Sequence, residues 1–319
     1  MKVEVLDAQS YARDVLPLTA PLWAGERSLE RYVEHTLEVA RCGYGRRHYR
    51  TMGFYNDGSL VASFKRYERT IRHGGERLRA AGIGAVFTPE NLRGRGYASA
   101  MLAMELDRSR AEAFDIAYLF SDIRPQFYEE LGFVALPSRS MSLRADSLPS
   151  TRIEVAALRD SDWTGVARCF DLGERQRAWG FVRSPLVWTF LRLRMRHGSE
   201  HPGGVATNLV VRRGRAIAAY VLGVRAPAHD AFVLDEFGFC DAQAATLVPA
   251  LLRSAAGDLQ RVAGWVPPEF ARPALPRAAI RKRASAILMA APLSPLGKRW
   301  LEAAAAPSAL DGVWSTDHI

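Results

Sequence analysis

The sequence predicts an α+β chain, α/β sandwich-like, with two domains in tandem, each a mixed and mostly antiparallel sheet flanked by helices. Three observations predict it. The 319 residues are too many for one domain of usual size and suit two. In the first half a three-strand meander runs straight into a glycine-bearing turn and a helix. After residue 150 the same succession of elements starts again, as a repeat of architecture and not of sequence.

The elements follow in order. Residues 3–6 read as a short strand, and 8–16 and 29–39 as helices, the second entered through Ser28 as N-cap with Glu30 in its first turn. A strand over 48–55 meets Asn56-Asp57-Gly58, the strongest short-range hairpin signal of the chain. Strands over 60–71 and 78–87 flank a second turn at His73-Gly74-Gly75. A helix over 99–112, a buried parallel-type strand over 116–120, a short helix over 125–131 and a strand over 133–143 close the first sheet. The first domain is thus 1–145, the linker 146–150 and the second domain 151–319. In the latter, 153–157 is a strand, 161–170 and 185–196 are helices, 208–211, 217–224 and 232–239 form another meander, and 242–256 is a helix.

Composition excludes several classes. Apolar content of 48% with 24% charged residues is ordinary for a soluble globular chain. No apolar run approaches the ~20 residues of a membrane span, and Met1-Lys2-Val3-Glu4 turns acidic too early for a signal peptide. Cys42, Cys169 and Cys240 have neither metal nor disulfide spacing and read as reduced thiols of a cytoplasmic protein. The net charge of +9 comes from arginine more than lysine, and no nucleic-acid-binding motif accompanies it. Gly-x-Ser-x-Gly is absent, and no His pair stands at ligand spacing, so the sequence predicts neither a serine hydrolase nor a metal site.

The most informative stretch is Arg93-Gly94-Arg95-Gly96-Tyr97-Ala98, between an apolar β-like run and a helix. The first N–H groups of a helix have no intrahelical partner and carry partial positive charge, so they hold a pyrophosphate. Glycines let the main chain approach the oxygens, and the arginines add planar donors. The stretch fits neither Gly-x-Gly-x-x-Gly nor a P-loop. Its spacing Arg-x-x-Gly-x-Ala resembles the acyl-CoA-binding signature of the GNAT superfamily of N-acetyltransferases. About thirty residues on, Phe127-Tyr128-Glu129-Glu130-Leu131-Gly132-Phe133 resembles the family's second signature. At the corresponding place in the second half stands Cys240-Asp241-Ala242-Gln243-Ala244-Ala245, without glycine or arginine, where Asp241 repels a pyrophosphate. The pair of domains therefore resembles a tandem GNAT protein with a degenerate second copy, similar to Eis-like acetyltransferases without their third, sterol-carrier-like domain.

The resemblance implies acetyl-CoA as acyl donor and no metal. Aminoglycoside, polyamine, amino acid, peptide N-terminus and protein lysine stay open as acceptors, and a degenerate second domain that walls off the cleft favours a small-molecule amine. The resemblance places main-chain donors for the thioester at Val86, Phe87 and Thr88, the side chains of Val86 and Phe87 reading as sheet core, with Pro89 beyond them ending the ladder. Arg93, Gly94, Arg95, Gly96, Tyr97 and Ala98 hold the diphosphate, and Ser121 falls where an asparagine contacts the pantetheine arm. Arg124 and Pro125 depart from the usual alanine there. Tyr128 is the general acid: its phenol, with a reference pKa of about 10, stays protonated at neutral pH.

The base is not legible: the candidates are Asp122, Glu34, His35 and His73, and each reads first as a surface or satisfied structural residue. In Eis-like enzymes the chain's own C-terminal carboxylate is implied to serve. Here Trp314 wants burial: either it closes the core of the second domain, or it anchors a tail that carries His318 or the Ile319 carboxylate toward the cleft between domains. Trp23, Tyr32 and His35 shape the acceptor pocket, and Trp179, Phe181, Trp188 and Phe190 are either core or substrate-facing. A non-catalytic acyl-CoA sensor on the same fold is the alternative function. Acyl-chain length and homo-oligomer formation stay open.

Overall fold

A computed structural model describes the chain except for residues 123–124, 197–202, 307–308 and 310–311. The first half runs β1 (Lys2–Leu6), α1 (Ala8–Asp14), α2 (Leu16–Trp23), α3 (Leu29–Arg41), α4 (Gly43–His48), β2 (Tyr49–Asn56), β3 (Ser59–His73) and β4 (Glu76–Phe87). It continues through α5 (Tyr97–Ala111), β5 (Ile116–Ser121), α6 (Pro125–Glu129), β6 (Val134–Ala135) and β7 (Arg139–Arg144). Ser28 caps α3 by accepting from the Arg31 amide, and Tyr32, Thr36 and Val39 form its buried stripe at helical spacing. Asp57 and Gly58 turn β2 into β3 with φ of 48° and 78°, the left-handed pair that a two-residue hairpin demands.

The second half runs β8 (Ala156–Ala157), α7 (Trp163–Glu174), β9 (Trp179–Val182), α8 (Pro185–Arg196), β10 (Val205–Ala206), β11 (Leu209–Arg213), β12 (Ala216–Ala226) and β13 (Ala231–Phe239). Then come α9 (Ala242–Ala245), α10 (Val248–Ala256), β14 (Arg261–Trp265), β15 (Ala279–Lys282), β16 (Ile287–Pro292) and α11 (Pro295–Ala304). The helix expected over 242–256 is two helices, because Pro249 sits in the first turn of α10 and restarts it. No helix of the described residues is long and apolar enough to cross a membrane.

Two mixed sheets result. The first has the order β1-β2-β3-β4-β5-β16-β6, and the second β15-β7-β14-β13-β12-β11-β8. In each, one long strand outlasts its neighbour and pairs twice. Residues 59–67 of β3 pair with β2, leaving Thr70 to His73 for β9. β12 likewise serves both β11 and β10.

The strand expected over 133–143 does not close the first sheet. Its main part, β7, lies in the second sheet between β14 and β15, with Arg144 opposite Arg261 and Met141 opposite Ile280. Its place beside β5 is taken by β16, with Leu288 opposite Phe120 and Ala290 opposite Tyr118. Residues 146–150 therefore do not divide one sheet from the other, and Leu148 within them is buried. The physical reason is that Met141 and Leu143 alternate with polar neighbours. That pattern needs an apolar layer on one side and is indifferent to which sheet supplies it. They join the core of Val221, Leu251 and Val262, while Met289 and Ala291 join that of Phe64 and Leu102.

Candidate active site

β4 and β5 pair in parallel from Ala80 and Ile116 to Ile83 and Leu119, and there the ladder stops. β4 nevertheless continues to Phe87 and β5 to Ser121, so the two strands part. A register shift on the β3 side accompanies the parting: Lys65 faces Gly84 but Ser63 faces Phe87, and Ala85 takes the extra place with φ of 48°. An alanine in the left-handed region is strained, and such a bulge re-aims the main chain that follows it. Val86, Phe87 and Thr88 form one wall of the opening. Phe87 is buried with the ring of Trp23 edge-on at 6.3 Å, and the Thr88 hydroxyl is buried without a hydrogen-bond partner among the described residues. Ser121 is buried at the end of the other wall, opposite Ile287 of β16.

At the mouth stands the start of α5. Gly94 and Gly96 have φ of 76° and 78°, and Gly96 is the N-cap. A residue without a side chain leaves the amides of Tyr97 and Ala98 uncapped, and nothing lies within 4 Å of where a Cβ of either glycine would stand. Arg93 and Arg95 are exposed; Arg93 donates to the Thr88 carbonyl, and Arg95 has no ion pair among the described residues. The helix begins two residues earlier than expected, which puts Tyr97 and Ala98 in its first turn.

Tyr128 lies on α6 against Phe127 and Phe133. Its hydroxyl makes no hydrogen bond among the described residues, and burial, then the charge of Asp122, push the phenol up to about 12. The other titratable candidates fall elsewhere. Asp122 accepts from the Ala286 amide, Glu34 pairs with Arg31 on the surface, and His73 is at the β3–β4 turn, the opposite end of β4. His35 faces the Arg27 guanidinium at 3.0 Å. Arg124 lies outside the described residues. Trp179 and Phe181 are buried on β9, and Trp188 and Phe190 on α8, so this aromatic stretch is core and the substrate-facing option is discarded.

The last residues cross from one sheet to the other. Trp314 is buried against Phe237, the Ser315 hydroxyl donates to Asp235 and that of Thr316 to Glu236. Asp317, fully buried, meets Arg69 of β3 at 2.9 Å and Arg183 at 2.9 Å. His318 packs edge-on against Phe120 and Trp265. Burial, then Arg194 and Arg283, push it down to about 3, so it is neutral and a poor base. Ile319 then lies over β4. A Cβ on Gly82 would come within 2.6 Å of Ile319 Cδ1, and one on Gly84 within 3.4 Å of the Ile319 carbonyl carbon and oxygen.

Comparison with known proteins agrees with this geometry. No curated protein matches the sequence. Residues 13–135 match the family model of an acetyltransferase (GNAT) domain. Residues 13–135 are thus similar to a GNAT acetyltransferase domain. The whole chain has the tandem GNAT fold. It is similar to a GCN5-related N-acetyltransferase from Anabaena variabilis, at 14% identity and a TM-score of 0.72 over 93% of this chain and 74% of that one. It is also similar to Eis1 from Mycobacterium abscessus, at 15% and 0.59 over 92% and 73%. A tandem GNAT protein from the clavulanic acid biosynthesis pathway matches at 12% and 0.50 over 92% and 99%.

The opening fits the acetyl-CoA that a GNAT domain takes as its acyl donor: uncapped amides and arginines at the mouth, a parted strand pair within. The second sheet parts in the same way, since β13 outlasts β14 beyond Leu234 and Gly264. There the tail residues Ser315 and Thr316 occupy the place by bonding to Asp235 and Glu236. Asp241 caps α9 and accepts from the Ala244 amide, so a carboxylate fills the spot where an anion would bind. Sequence reasoning missed the Ala85 bulge, because nothing local marks an alanine at positive φ, and it missed Lys65 on β3.

Proposed function

We propose that this chain transfers the acetyl group of acetyl-CoA to a primary amine of a small molecule, by direct attack on the thioester with Tyr128 as general acid. One observation carries the reading. The strands part beyond Ile83 and Leu119, and Tyr97 of the uncapped first turn of α5 and Tyr128 both pack against the apolar cluster that holds those two residues. Val86, Phe87 and Thr88 line the opening as a preorganised wall for the carbonyl, and Arg93 to Ala98 receive the diphosphate. The C–N bond forms as the C–S bond breaks. A phenol at about 12 is firmly protonated at neutral pH, and it donates to sulfur as negative charge develops there.

α5 and the diphosphate site take one face of the sheet, so the amine approaches from the other, where Ile319 lies on Gly82 and Gly84. On that side the attacking ammonium gives its proton to water, and Ile319 borders the amine. Ile319→Gly then lowers turnover with acetyl-CoA binding intact; an unchanged rate removes Ile319 from the mechanism.

Tyr128→Phe tests the reading as a whole. It should bind acetyl-CoA in calorimetry as the parent does and lose about 10²-fold or more in kcat. A variant with the parent's kcat would leave the non-catalytic sensor as the better description.

A further inference from the structure

The face of the first sheet opposite α5 carries a cation that no described carboxylate side chain neutralises. Lys65 of β3 stands directly across from Gly84, beside the Ile319 end of the tail. It is half-buried, and its ammonium lies 5.8 Å and 5.9 Å from the ring centres of Tyr11 and Tyr32. Among the described residues it makes no hydrogen bond and no ion pair. Aromatic faces compensate a desolvated ammonium only in part. Its charged neighbours add to the deficit. Burial, then Arg194 and Arg27, push Lys65 down to about 8, and no carboxylate side chain offsets them. Both guanidiniums are held by main-chain carbonyls that leave their charge uncancelled: Arg27 by those of Trp23 and Ala24, Arg194 by that of His318.

We infer that the acceptor carries an acid group beside its amine, a carboxylate held by Lys65, so that the substrate class is an amino acid or its close relative and not a polycationic amine. The inference rests on the acetyltransferase reading above. An acceptor arrives as an ammonium ion. A second positive group on it would meet three cations that no described side chain neutralises, whereas a carboxylate supplies the side-chain partner that Lys65 lacks among the described residues. Lys65 acts here in recognition and leaves proton transfer to other groups.

The test uses matched amines with and without the acid: ornithine and putrescine, lysine and cadaverine, phenylalanine and phenethylamine. CoA release from acetyl-CoA is followed with the full chain. The acid-bearing member of each reacting pair should exceed its partner in kcat/KM by about tenfold or more. Lys65→Gln should bring that ratio close to one with acetyl-CoA affinity unchanged, Lys65→Arg should keep it, and Lys65→Glu should reverse it toward the diamines. A parent protein that prefers putrescine or cadaverine, or a Lys65→Gln protein with the parent's ratio, overturns the inference and leaves the acetyltransferase reading standing. Binding of acetyl-CoA with no release from any amine defeats both, and the missing release tells the two failures apart.

Discussion

Asp317→Asn will lose about 3–5 kcal/mol of folding stability, the range found when one partner of a buried ion pair is removed. Asp317 is 1% exposed and is the sole anion paired with Arg69 among the described residues, while Arg183 divides itself between Asp317 and Glu236. The asparagine has the same shape but leaves Arg69 desolvated and unneutralised. Urea unfolding at neutral pH measures the loss, and a difference under about 1 kcal/mol would mean that water or a neighbour compensates Arg69. The pH dependence has a definite sign. Burial pushes the Asp317 carboxyl up, but Arg183 and then Arg69 hold it below its usual 3.8. Its contribution is complete above that value and disappears as pH falls through the lower folded pKa. The parent and Asp317→Asn unfolding curves should therefore converge in strong acid and separate at neutral pH.

Gly82→Ala will cut kcat by about 10²-fold while acetyl-CoA binding stays within roughly twofold of the parent, since a misplacement of about 1 Å at a reacting group has that effect. A Cβ there would stand 2.6 Å from Ile319 and 2.7 Å from the Tyr118 ring, and Tyr118 is fully buried and cannot retreat. Ile319 must move, and with it whatever it presents to the amine. The cofactor side of β4 is untouched, because Gly82 faces away from α5. Parent-like turnover in a variant with confirmed substitution would show that the tail is only structural.

The cofactor side of the site was legible in the sequence because its signals are local. Gly94 and Gly96 are needed where φ is positive, Tyr97 and Ala98 follow as a helix start, and Tyr128 stands on a short helix of recognisable composition. The acceptor side was not legible, because it is assembled from distant pieces. Lys65 reads as one polar position in a strand, and only its pairing with Gly84 and the arrival of Ile319 make it notable. Trp314 did announce an anchored tail, although its partners Phe237, Asp235 and Glu236 belong to a strand far back in the chain. The placement of β7 and β16 had no local signal at all, since an alternating strand fits either sheet.

That placement governs how the protein matures during synthesis. β5 has β4 on one edge and β16 on the other, and β16 ends only at Pro292. Until the polypeptide has been made through Pro292, β5 presents an open edge and the cofactor half waits unfinished, in want of a cover or a chaperone. The half that carries the chemistry is made first and completed last.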